Sequence, residues 1–182
     1  MWLSRALDDY IAVAPWGLTY GFWDGAGLAG VKIPMLFIAG SVDDVSGYEP
    51  GIRSIWQGAV NVDRALLTFD NANHNAAAPM PAPAEAWTVA AGGLSPYDHY
   101  ADAVWDTSKM NNIFQHFATA WLGKHLAGDA DMAAYLELEP NANDSVWAKN
   151  EAGSNTPEHT HWKGFHERTA KGLRYEVLPA AD

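Results

Sequence analysis

The side chains best suited to acid–base chemistry in this sequence stand just past short apolar runs. MLFIA (Met35 to Ala39) leads through Gly40 and Ser41 to Asp43 and Asp44, and ALLTF (Ala65 to Phe69) leads through DNAN to His74. A carboxylate beside an imidazole fixes the ring's tautomer and orientation. It also stabilises the imidazolium that forms when the ring takes a proton from a nucleophile. Taken singly, Asp43 and Asp44 read as turn residues and His74 as a loop histidine satisfied by backbone. Taken together at the ends of consecutive strands, they read as an acid and its base.

That pairing requires elements that bring the two loops together. Three apolar runs, Tyr10 to Ala14, Met35 to Ala39 and Ala65 to Phe69, have the length of strands and are bounded by Pro, Gly or Asp. They are continuous rather than alternating, as in parallel strands buried on both faces. Between the second and third, Ile52, Ile55, Trp56 and Ala59 fall on one helical stripe within Gly51 to Val60. The pattern is strand, helix, strand. Such a unit places neighbouring parallel strands side by side, through a right-handed connection, and functional residues collect beyond their carboxyl ends.

Further along, Met110 to Ala127 is the clearest helix, with Ile113, Phe114, Phe117, Ala118, Trp121 and Leu122 as an apolar stripe ended by Gly128. YLELE (Tyr135 to Glu139) reads as a strand or a helical turn. The stretch from Pro140 to His159 is turn-rich and polar, and is expected as surface loop. LRYEVL (Leu173 to Leu178) alternates like a late, half-exposed strand. The expected fold is α/β: a three-stranded parallel sheet edge with flanking helices in residues 1–128, and an extension of the same domain over 129–182.

Composition narrows the partners. With 48% apolar residues, nine Trp and 18% charged residues, the chain has the makeup of a packed globular protein. A net charge of −11, with eleven scattered Lys and Arg, argues against nucleic acid or an anionic membrane as partner. No apolar run approaches the roughly 18 residues of a membrane span. The absence of cysteine excludes disulfides, thiolate nucleophiles and Cys-ligated zinc. No targeting signal is visible, and the compartment stays open.

At this point the residues carry a resemblance. The strand-Gly-x-x-Asp of IPMLFIAGSVD, a helix, then a strand ending in a histidine resembles the last third of an α/β-hydrolase, where nucleophile, acid and histidine come in that chain order. GFWDGAGLAGVKIPMLFIAGSVDDVSGYEPG, HNAAAPMPAP, HYADAVWDTSKMNNIFQHFATAWLGKHLAGDADMAAYLEL and HWKGFHERTAKGLRYE are similar to the dienelactone-hydrolase-like group of predicted esterases. The resemblance runs over almost the whole chain. It implies that Asp43 is the acid, with Asp44 the runner-up, and that His74 is the histidine. It further implies ester or lactone hydrolysis through an acyl-serine, a small-molecule substrate, and no metal or organic cofactor.

The implied nucleophile is missing. There is no G-x-S-x-G: Ser41 lies on the acid's own loop, Ser95 in GGLSPYD has Tyr97 where the second glycine belongs, and Ser4 precedes the first strand without the motif. Ser95 with Pro96 reads as a turn or helix start. The expectation is a chain that begins after the elbow, with YIAVAP, MLFIA and ALLTF as the sixth to eighth strands. On that expectation it is inactive alone and exposes an apolar first strand prone to self-association or to pairing with an N-terminal half.

Two other function classes compete. His159, His161 and His166, with Glu158 and Glu167 nearby, could supply metal ligands, although H-E-x-x-H is absent. A non-catalytic interaction or assembly protein could use the exposed sheet edge or an aromatic surface, although Trp56, Trp105 and Trp121 sit at packing spacings. His116 and His125 read as boundary or surface residues of the long helix, and His99 as a loop histidine near the sheet edge.

Overall fold

The computed structural model describes residues 9–76, 82–88 and 95–181. Ser4, Ala77 to Pro81 of the HNAAAPMPAP segment and the GGL of GGLSPYD lie outside them.

The three apolar runs become strands β1 (Tyr10–Val13), β2 (Met35–Gly40) and β3 (Arg64–Phe69), paired in parallel in that order. LRYEVL is also a strand. It joins the same sheet antiparallel to β3, so the sheet has four strands rather than three. We name it β6 (Leu173–Leu178), because a two-stranded ladder, β4 (Trp147–Lys149) with β5 (Asn155–His159), precedes it. That ladder corrects the expected surface loop between Pro140 and His159. Its strands are short and mostly exposed, so no apolar periodicity announces them.

Alternation along β2 and β3 divides the core into two layers. Leu36, Ile38, Leu67 and Phe69 face helix α3 (Thr107–His125) and pack with Ile113, Phe117 and Trp121. Phe37, Ala39 and Leu66 face the opposite way, against Ile52, Ile55 and Trp56. On that second face the predicted helix is a π-helical turn at Tyr48–Arg53 running into α2 (Ser54–Gly58). The short α1 (Gly25–Ala29) lies against α2, where Gly58 closes on Leu28. The sheet is therefore covered on both faces, as continuous apolar strands demand.

Local chemistry sets the helix ends. The Asp106 carboxylate accepts from the Lys109 N–H at the start of α3, and Lys124 and His125 occupy its last turn, where cations suit the helix dipole. YLELE forms no strand. A 3-10 turn, Ala130–Tyr135, runs into it and buries Leu136.

The C-terminal residues belong to the core. Trp162 and Tyr175 are almost fully buried, Tyr175 stacks on Phe117 at 5.2 Å, and the Trp162 indole N–H donates to the Glu139 carbonyl at 2.8 Å. At the amino end of β3, buried Arg64 donates to the carbonyls of Trp56, Gln57, Val62 and Pro179, which ties α2 and the end of β6 to the sheet. Burial holds its pKa below the ordinary arginine value.

Candidate active site

Because β1, β2 and β3 are parallel, the loops after them emerge at one edge of the sheet. The loop after β2 carries Asp43 and the loop after β3 carries His74. Gly40 sets how closely they approach: a Cβ there would lie 2.2 Å from the Asn73 carbonyl oxygen and 2.3 Å from that of Ala72. No real side chain fits such a gap, so glycine is required by proximity rather than by an unusual φ. Ser41 stitches the loops, its hydroxyl accepting from the Asn71 N–H at 2.8 Å. Asn71 itself turns the chain at φ 63°, a conformation that asparagine tolerates well.

The structure brings Asp43 and His74 together. His74 Nδ1 lies 2.9 Å from Asp43 Oδ2, and the Asp43 side chain is fully buried. Its other oxygen, Oδ1, accepts from the N–H groups of Val45 and Ser46 at 2.9 and 2.8 Å. The carboxylate is thus pinned by its own loop and presents one oxygen to the ring. An ionised carboxylate only accepts, so with Asp43 as carboxylate Nδ1 is the donor in this contact, and a neutral ring would hold its free lone pair on Nε2. The His74 side chain is about one-third exposed, and its Nε2 makes no hydrogen bond to a described residue. The Ser46 hydroxyl donates to the Ala14 carbonyl at 3.0 Å, which fastens the acid loop to the end of β1.

The other candidates fall elsewhere. Asp44, the alternative acid, is exposed and does not meet the imidazole. Ser41 and Ser46 are engaged in the loop contacts just described, and Ser95 stands at the start of the 3-10 turn Pro96–His99, ahead of Pro96. His99 is exposed on that turn. His159 and His161 pack against each other and against Trp147, with ring centroids 4.8 to 5.3 Å apart, while His166 is exposed. No group of three or more ligand-type side chains able to hold a metal occurs among the described residues.

His116 and His125 are boundary residues, as expected, but each has a buried Nε2 with no hydrogen-bond partner among the described residues, and burial depresses both pKa values below the usual imidazole range. His125 also feels Asp9, whose own pKa burial raises against the bonds it accepts from Trp121 and Tyr10. This second carboxylate–imidazole neighbourhood lies at the amino end of β1, away from His74.

Sequence reasoning missed the residues that hold the histidine loop, chiefly Asn73, Asn75 and Asp102. Each is a small polar residue in a polar loop, and their roles depend on contacts across 23 to 29 positions. Only the D-A-V-W spacing hinted at a turn, in which Asp102 Oδ1 accepts from the N–H groups of Val104 and Trp105. No described helix is long and apolar enough to cross a membrane. No family model matches the chain, and no curated protein matches it.

Proposed function

We propose that this chain carries the acid and the general base of a serine hydrolase of the α/β-hydrolase type, acting on a small-molecule ester or lactone. The observation that carries the reading is the Asp43–His74 pair: a fully buried carboxylate 2.9 Å from the proximal nitrogen of a partly exposed imidazole, at the carboxyl edge of a parallel sheet. In the reaction His74 Nε2 takes the proton of a serine hydroxyl as its oxygen attacks the acyl carbon. The ring then gives that proton to the departing alkoxide, leaving an acyl-serine. Water repeats the sequence: its proton passes through His74, its oxygen releases the acid, and the serine is restored. Asp43 holds the ring and stabilises the imidazolium in both halves.

In this reading the serine comes from polypeptide outside these 182 residues, and the chain alone does not hydrolyse esters. The edge of β1, free among the described residues, supports it. β1 has an apolar sequence suited to an interior strand, yet Tyr10 and Val13 are 48% and 41% exposed, and an apolar groove of about 360 Å³ runs beside it, lined among others by Ile11, Trp23, Leu28 and Met35. Such an edge pairs readily with another strand. A strand of the nucleophile-bearing polypeptide adding to β1 would enter the sheet beside the strand to which Ser46 ties the acid loop.

Fluorophosphonate labelling tests the reading. The expected result is no stoichiometric adduct on the isolated chain. In native material captured by antibody to this chain, an adduct should form on a serine outside its sequence. An adduct on Ser41, Ser46 or Ser95, or none in the native material, overturns it.

A further inference from the structure

We propose that Asp102 is a positioning residue for His74, reaching across from a separate loop to fix the backbone on which the histidine is carried. The inference rests on the reading of His74 as general base. His74 sits in a loop folded by a turn of its own and held by a separate segment. Asn73 and Asn75 flank it, and the Asn73 side-chain oxygen accepts from the Asn75 N–H at 2.8 Å, folding a turn over the histidine. That turn is held from outside by the segment Asp98 to Trp105. The Asn75 side-chain amide donates to the carbonyls of Asp98 and Ala101 at 2.6 and 2.8 Å, and the Trp105 indole N–H donates to the Asp70 carbonyl at 2.7 Å. Trp105 also meets Phe69, the last residue of β3, edge to face at 5.2 Å.

Asp102 is the one charged group in this clamp that touches the backbone next to the histidine, and its two oxygens have separate work. Oδ1 accepts from the Val104 and Trp105 N–H groups and shapes its own turn. That leaves Oδ2 to accept at 2.7 Å from the N–H of Asn73, the residue before His74. A side chain needed only for its local turn has no use for the second bond, which spans 29 positions. The Asn73 carbonyl, for its part, lies against Gly40. The Asn73 backbone is therefore held between the acid's strand and the Asp102 carboxylate. Charge-assisted hydrogen bonds of this kind are about twice as strong as neutral ones. Since a misplacement of about 1 Å can cost 10²-fold in rate, control of this peptide amounts to control of the Asp43–His74 contact.

The test is imidazole nitrogen NMR on the full chain at alkaline pH, where imidazoles are neutral, with the His74 signals assigned through His74→Gln. The wild-type ring should carry its proton on Nδ1. Asp43→Ala should shift it towards the Nε2 tautomer that a free imidazole prefers. If Asp43→Ala changes nothing, the pair is not formed and both the functional reading and this inference fall. Asp102→Asn can keep the Oδ1 turn bonds while turning an amide donor towards the Asn73 N–H. It should lower the Nδ1-protonated fraction by about half or more without altering the backbone spectrum far from the loop. Asn75→Ala, which loosens the same clamp by another route, should act in the same direction. Asp129→Asn, at a distant turn that Asp129 caps, should leave the signals unchanged. A wild-type His74 tautomer in both Asp102→Asn and Asn75→Ala, with Asp43→Ala shifted, overturns the positioning role and leaves the base assignment standing.

Discussion

The imidazole of His74 owes its orientation to a carboxylate that has no freedom of its own. Asp43 spends one oxygen on two backbone N–H groups and the other on the ring, so the pair is pre-organised rather than assembled on binding. Its placement was legible in the sequence because both residues follow apolar runs that had to be neighbouring parallel strands. The reading of Asp43 rather than Asp44 as the acid rested on family resemblance; in the fold, the turn after Gly40 buries the first carboxylate and exposes the second. Gly40 is the residue whose necessity is most easily tested. Gly40→Ala puts a methyl group against two carbonyl oxygens and must push the histidine loop away from β2. Unfolding free energy measured in urea should fall by roughly 1–3 kcal/mol, the usual cost of overpacking, and under the proposed function ester turnover by the assembly that supplies the serine should fall by about 10²-fold. Wild-type values for both would show that the close approach does not matter.

Among the elements, those with apolar periodicity were readable and those built from polar contacts were not. β2, β3 and α3 are specified by which faces they bury, and the alternation in LRYEVL reported a strand without revealing its partner. That partner is β3, and the pairing is reinforced by Arg174 on Asp70 at 2.7 Å, while Arg53, bound to both oxygens of Glu176, ties β6 to the π-helical turn. Charge pairs separated by over a hundred positions leave no trace in a local pattern. The β4–β5 ladder was hidden for a related reason, since its strands bury little. Helix α3 carries a further consequence of packing. His116 lies among Phe117, Tyr135 and Phe165 with a buried, unpartnered Nε2, and burial depresses its pKa. The neutral ring is the form that the fold accommodates. Its contribution to stability is therefore complete above the ordinary imidazole value near 6.5 and is lost as pH falls through the depressed one. His116→Phe should flatten the decline in urea midpoint between pH 7 and pH 5, leaving a residue from His125, which is depressed in the same sense. An undiminished decline would mean that the charged ring finds solvent or a partner in the native state.

For the molecule as a whole, the two edges of the sheet differ in kind. β6 closes one edge with alternating charged residues and leads into Pro179, features that discourage further pairing, whereas β1 presents an apolar strand beside an apolar groove. The C-terminal residues contribute Trp162, Leu173 and Tyr175 to the core that α3 covers, so they fold with the sheet rather than as an appendage. Composition indicated a packed protein with a surface ill suited to nucleic acid, and it had no means of showing which edge would stay open, because that follows from strand order. We propose that the open edge and the site are linked, a polypeptide that adds to β1 bringing the serine that His74 deprotonates. The most direct measurement is the rate of p-nitrophenyl ester hydrolysis by the native assembly containing this chain, compared with the same assembly carrying His74→Ala or Asp43→Ala. The account predicts losses of about 10³-fold or more for His74→Ala, and a large loss for Asp43→Ala, with the assembly intact. Hydrolysis by the His74→Ala assembly within a few-fold of wild type would contradict it.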